Sequence, residues 1–161
     1  MNSSAKEIIS PFEKLLADLT AAGVDFAVVG GVAVIANGYL RLTEDLDIVV
    51  SDNRENLMRL LEVLGRFGEG YARELSPEDF QRQEGSIRVS EEFDVDIFTV
   101  MGGLTLDDFR PRLRRHELTT GSFLHLSPDQ LIELKQNSWR DKDRIDTSAM
   151  KEILAREARK G

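Results

Sequence analysis

Two short apolar segments of this chain each open on an aspartate pair: Asp45-Leu46-Asp47 ahead of Ile48-Val49-Val50, and Asp94-Val95-Asp96 ahead of Ile97-Phe98. Aspartate is depleted in strands, so two strands that both begin this way constrain the sheet they enter. Along a strand, residues two apart share a face, which puts the carboxylates of one pair about 7 Å apart at their Cα atoms. Neighbouring strands lie about 5 Å apart, so the two pairs either line a solvated polar face or converge on a common cation. Like charges held together are unfavourable until something positive neutralises them. Carboxylate oxygens are hard donors, and such a site selects Mg²⁺ or Mn²⁺ over softer metals.

The rest of the chain reads as alternating helices and strands. Ile8, Phe12, Leu15, Leu16 and Leu19 recur at helical spacing. Two starts compete for that helix, Ser4 with Glu7, or Ser10 with Glu13 and Pro11 at the first helical position. Gly23 is its expected stop. Phe26 to Val29 is apolar throughout, as a strand covered on both faces is. A short helix from Val32 to about Asn37 follows, then the strand Leu46 to Val50, then a helix carrying Leu57, Leu60, Leu61 and Leu64. Ser76-Pro77-Glu78-Asp79 has the form of a helix start, and Ser86–Ser90 and Phe93–Val100 that of strands. A short helix is expected near Leu106 to Phe109, and a hairpin within Glu117–Leu126 around Thr120-Gly121-Ser122. Two helices complete the chain, one opened by Ser127-Pro128-Asp129 and one over roughly Asp143 to Ala158. The 161 residues contain no repeat and no linker-like stretch, so one domain over 1–161 is expected, with a helical C-terminal part from about 127 to 161.

Gly30-Gly31 sits between the apolar strand and the short helix. Glycine lets a ligand approach the backbone, and a helix start offers free N–H groups to an anion. A tight strand-to-helix turn would also account for both glycines. The pair is neither a phosphate-binding P-loop, since no Gly-Lys-Ser/Thr follows, nor a dinucleotide fingerprint, since the third glycine is missing.

Taken together, Val29-Gly30-Gly31, thirteen intervening residues and Asp45-Leu46-Asp47-Ile48 resemble the DNA polymerase beta-like nucleotidyltransferase superfamily. The segment from Gly30 to Asp47, with Ala33, Asn37, Gly38, Arg41 and Thr43, is similar to small standalone bacterial members related to the abortive-infection toxin group. Leu131-Ile132-Glu133-Leu134-Lys135 and Arg140-Asp141-Lys142-Asp143-Arg144-Ile145-Asp146 resemble their C-terminal pattern, so the likeness spans roughly residues 10 to 155. It implies an α/β (α+β) fold, a small mixed sheet flanked by helices. It also implies transfer of a nucleoside monophosphate from an NTP to an acceptor hydroxyl on an RNA, a protein or a small molecule, with pyrophosphate released.

By that resemblance Asp45, Asp47 and Asp96 are both catalytic and metal-binding, with Asp94 the fallback for the third carboxylate. The cofactor implied is Mg²⁺ or Mn²⁺. Gly30, Gly31, Arg41, Thr43, Lys135 and Lys142 are the implied nucleotide-binding residues. The bland reading of Arg41 and Thr43 is an exposed loop. For Lys135 it is a solvent-facing helix end, with Asp143 and Asp146 as acids favoured by a helix N-terminus. Many relatives carry Ser at the position of Gly31, so one hydroxyl contact to phosphate is missing here.

A different class of function stays open: a non-catalytic protein of this fold that binds a nucleotide or a partner protein, as in a toxin–antitoxin pair. A partner chain or a homo-oligomer would supply what so short a chain lacks. The 21 basic and 29 acidic residues sum to −8, which argues against coating nucleic acid. The one dense basic run, Arg110, Arg112, Arg114, Arg115 and His116, is either a local RNA or DNA contact or a solvated connection. Cysteine is absent, which excludes a disulfide scaffold, a zinc knuckle and a cysteine nucleophile, and His116 and His125 have no ligand-spaced partner, so no histidine metal site is expected. Trp139 suits either base stacking or core packing. No apolar run approaches a membrane span, and Met1–Glu7 lacks a basic-then-apolar pattern; a cytoplasmic protein is expected.

Overall fold

A computed structural model describes residues 3–136 and 141–160; Trp139 and Arg140 fall outside them. Helix α1 (Ser3–Ala21) leads into β1 (Phe26–Val29), α2 (Gly30–Ala36), β2 (Asp45–Val50) and α3 (Arg54–Gly65). After two 3₁₀ turns come β3 (Ser86–Ser90), β4 (Asp94–Phe98) and α4 (Leu106–Phe109). The hairpin β5 (Arg114–Leu118) and β6 (Gly121–His125), then α5 (Pro128–Lys135) and α6 (Asp141–Lys160), complete the chain. The six strands form one mixed sheet in the order β3-β4-β2-β1-β6-β5.

β1 lies in the middle of the sheet, antiparallel to β2 and parallel to β6, and all four of its residues are buried. That is why it carries no polar residue. β2 and β4 run parallel with Asp45 opposite Asp94 and Asp47 opposite Asp96, so the two aspartate pairs enter the sheet at one level and on one face. Parallel neighbours cannot be joined by a tight turn, and the connection from β2 to β4 takes in α3 and β3. β3 returns antiparallel to β4 as an edge strand.

Several sequence expectations need correction. α1 begins at Ser3, ahead of both candidate caps, and Pro11 lies inside it. The apolar period extends upstream through Ala5 and Ile9, both buried, and their packing outweighs the hydrogen bond that Pro11 cannot make. Gly23 does end this helix, at φ +75°, with Val24 N–H donating to the Leu19 carbonyl. Ser76 to Asp79 forms a capping box, yet only the single 3₁₀ turn Pro77–Asp79 follows, because no apolar face continues the helix. The hairpin starts earlier than expected, at Arg114, and turns through Thr119-Thr120. The last helix starts at Asp141 and runs to Lys160. Among the described residues, no helix is long and apolar enough to cross a membrane.

Candidate active site

At the C-terminal end of β1 the chain turns at Gly30 with φ +63°, a conformation that favours glycine. A Cβ there would stand 2.2 Å from Asp47 Oδ2, so the absent side chain is what lets the Asp47 carboxylate lie against the turn. A Cβ on Gly31 would meet Thr43 Oγ1 at 2.7 Å and Arg41 Nη2 at 3.1 Å. A serine cannot enter there unless Thr43 moves. The Thr43 hydroxyl thus already stands beside the space a side chain at Gly31 would fill. The two glycines bring Asp47, Thr43 and Arg41 around one turn, and the first N–H groups of α2 have no partner within that helix.

Asp47 and Asp96 lie opposite one another on β2 and β4, and their carboxylates are within hydrogen-bonding reach. Burial, then the charge and hydrogen bond of Asp96 and the charge of Asp45, push the Asp47 carboxyl up to about 6; Lys142 pulls the other way. The mutual repulsion expected of the pairs is therefore present. On the other side of Asp96 is a residue the sequence reading passed over. Arg88, opposite Asp96 on β3, donates from Nε to Oδ1 and from Nη2 to Oδ2, both at 2.9 Å. Its Nη1 lies 3.2 Å from Asp94 and its Nη2 3.8 Å from Asp45. One guanidinium faces three of the four aspartates.

With both Asp96 oxygens turned onto Arg88, no three acidic or histidine side chains among the described residues converge to hold a metal ion. The donor chemistry nevertheless fits a divalent cation. The donors are oxygens alone, one carboxyl resists ionisation beside its neighbours, and a guanidinium already occupies the position of a counter-cation.

A cleft of about 350 Å³ opens from this corner. Gly30, Gly31 and Asp47 form one wall, Phe98, Met101 and Gly102 a second, and Leu131, Leu134, Lys135 and Lys142 a third. Arg41 also lines it. Lys135 is neither solvent-facing nor unpaired: its Nζ lies 2.7 Å from Asp146 and 3.3 Å from Asp143. Arg41 binds the same Asp146 through Nε and Nη2, both at 2.9 Å. Asp146, fully buried, is the anchor of both cations rather than a helix-end acid. Burial alone would raise its carboxyl, but hydrogen bonds from Arg41 and Lys135 outweigh that and hold it below the usual aspartate value. The signal was legible: Asp143 and Asp146 share one face of α6 at i, i+3. A second, more open groove of about 530 Å³ borders Asp45 and Asp94, and carries Glu44, Glu91 and Glu92 with Phe12 and Phe93.

Three of the four arginines in the run after α4 are paired internally, while Arg115 is exposed. Arg110 pairs with Asp25 and Asp107, Arg112 with Asp129 and Glu133, and Arg114 with Glu157. His116 and His125 are buried in the hairpin, their ring centres 6.3 Å apart.

No family profile matches the chain, and no curated protein matches it in sequence. Its fold has solved counterparts. The lincosamide antibiotic adenylyltransferase LnuA, bound to lincomycin, superposes with a TM-score of 0.61 at 14% identity, over 89% of this chain and 96% of LnuA. The chain has the nucleotidyltransferase fold. A candidate nucleotidyltransferase from Thermotoga maritima superposes at 0.50 with 14% identity, covering 94% of both chains.

Proposed function

We propose that this chain is a divalent-metal-dependent nucleotidyltransferase, moving a nucleoside monophosphate from an NTP to an acceptor hydroxyl. The observation that carries this reading is the corner where the Gly30-Gly31 turn, the Asp45, Asp47 and Asp96 carboxylates and a cation-lined cleft meet. Asp45, Asp47 and Asp96 would hold Mg²⁺ or Mn²⁺, and the bound ion supplies positive charge to the triphosphate and to the departing pyrophosphate. The backbone N–H groups of the turn would donate to phosphate oxygens, while Asp146 holds Arg41 and Lys135 at the cleft wall as fixed positive charges. Lys142 adds a third cation on that wall. As the acceptor oxygen bonds to the α-phosphorus, the bond from that phosphorus to the bridging oxygen breaks. The hydroxyl proton passes to Asp96, and pyrophosphate leaves. LnuA, acting on an antibiotic, supports a small-molecule acceptor as compatible with this frame.

Thermal unfolding with ATP, CTP, GTP or UTP, each with and without Mg²⁺, tests the reading. A ligand at a hundred times its dissociation constant adds about 2.7 kcal/mol, a rise of roughly 5–10 °C for a chain this long. The expected result is a rise that needs both an NTP and the metal. A protein indifferent to every combination would leave the fold without the activity.

A further inference from the structure

Arg88 holds the Asp96 oxygens that the proposed metal needs. Its two-pronged hold on Asp96 commits both carboxylate oxygens, and the side chain is still 52% exposed. A planar guanidinium matches a carboxylate at two points, a geometry that lysine cannot reproduce. Asp94 lies two residues before Asp96 on β4, hence on the same face, and is already 3.2 Å from Nη1. The second aspartate pair therefore gives the guanidinium two carboxylates side by side. With Nη1 already 3.2 Å from Asp94, a shift from Asp96 to Asp94 would not take the guanidinium away from carboxylate oxygens. Asp94, surplus to a three-carboxylate site, then has its own use.

We propose that Arg88 is a built-in counter-cation that competes with the divalent ion for Asp96, and that Asp94 receives its guanidinium when the ion enters. The proposal rests on the metal-dependent reading above. In the metal-free protein Arg88 offsets the repulsion among Asp45, Asp94 and Asp96. When metal and nucleotide bind, the positive charge at Asp96 is exchanged rather than added, and one Asp96 oxygen is released to accept the acceptor's proton. Affinity for the metal is set by this exchange, so the chain holds its ion weakly unless the triphosphate contributes further oxygens.

The test is Mn²⁺ binding to the metal-stripped protein, measured by calorimetric titration without nucleotide, on wild type, Arg88→Gln, Arg88→Lys, Asp94→Asn and the double variant Arg88→Gln/Asp94→Asn. Circular dichroism confirms folding of each. Removing a unit charge a few ångströms from a divalent ion predicts that Arg88→Gln binds Mn²⁺ about tenfold or more tightly than wild type. Arg88→Lys, keeping the charge without the fork, falls between the two, and carries the test if the glutamine variant does not fold. Asp94→Asn weakens binding several-fold more in the wild-type background than beside Arg88→Gln. Equal affinities for wild type and Arg88→Gln, or weaker binding by the variant, overturn the competition. Equal effects of Asp94→Asn in both backgrounds overturn the transfer to Asp94. Absence of Mn²⁺ binding in every protein, together with no NTP- and metal-dependent rise in thermal unfolding, removes the metal-dependent reading itself, and this role with it; absence of Mn²⁺ binding despite that rise overturns the competition alone.

Discussion

Asp47 is the carboxyl held well above its ordinary value, and its protonation makes a signed prediction. Its folded pKa of about 6 lies above the ordinary 3.8, so between those values the folded chain holds a proton that the unfolded chain has lost. Stability contributed by this residue therefore falls as pH rises from about 4 to 6, and stays at its lowest above that. Asp47→Asn should be more stable than wild type at pH 8 in a chelator, by about 1–2 kcal/mol, or roughly 3–6 °C in Tm. The gain should shrink toward zero near pH 4. Melting curves of both proteins across pH 4–8 decide it; a variant less stable at pH 8 would make Asp47 a structural acid. The carboxylates were legible in the sequence because their spacing is local and the chemistry is in the residue type. Arg88 was not, because its partner is fixed by the antiparallel register of β3 on β4, a pairing between residues eight apart across a turn that the apolar pattern does not specify.

At the scale of elements, apolar patterns and turn residues marked all or part of each strand and α-helix among the described residues, though most of β5 was read as a basic connection and a helix was expected at Ser76; the ends moved wherever packing overrode a local signal. Pro11 inside α1 is the plainest example, and the isolated capping box at Ser76 is its converse. Beyond the hairpin and the convergence weighed for the two aspartate strands, sheet order was not legible, since it depends on contacts between distant segments. α6 shows why that matters for the site. It carries Asp146 across to Arg41, 105 residues earlier in the chain, and to Lys135 at the end of α5. Removing one partner of a buried ion pair strands the other charges, which costs about 3 kcal/mol or more. Asp146→Ala is expected to lower Tm by about 6–12 °C. It should also weaken NTP binding about tenfold at a temperature where the variant is folded, because Arg41 and Lys135 lose their fixed direction toward the cleft. Nucleotide affinity equal to wild type in folded Asp146→Ala would leave α6 a packing element alone.

The whole molecule narrows the acceptor. A net charge of −8 repels a polyanion over the surface at large, and three arginines of the run that looked basic in sequence are paired with Asp25, Asp107, Asp129, Glu133 and Glu157, leaving Arg115 exposed. The groove that borders Asp45 and Asp94, on the open side of the carboxylates, is itself acidic. Cations do line the cleft on the other side, but those are the ones a triphosphate would engage. On the proposed reading, a nucleic acid approaching the carboxylates from this open side would lay its phosphates along an acidic groove, without the counterion release that drives such binding. An acceptor that is a small molecule or a protein segment meets no such penalty. Fluorescence anisotropy of labelled single-stranded RNA and duplex DNA of about 20 nucleotides, at about 50 mM salt where phosphate contacts are strongest, should show no saturable binding up to about 100 µM protein. Binding that saturates and falls steeply with salt would reverse the assignment, since only a phosphate-contacting surface behaves that way. Charge neutralisation of the Arg110–Arg114 run would then no longer describe the protein in solution, and an RNA or DNA acceptor would become the first to assay.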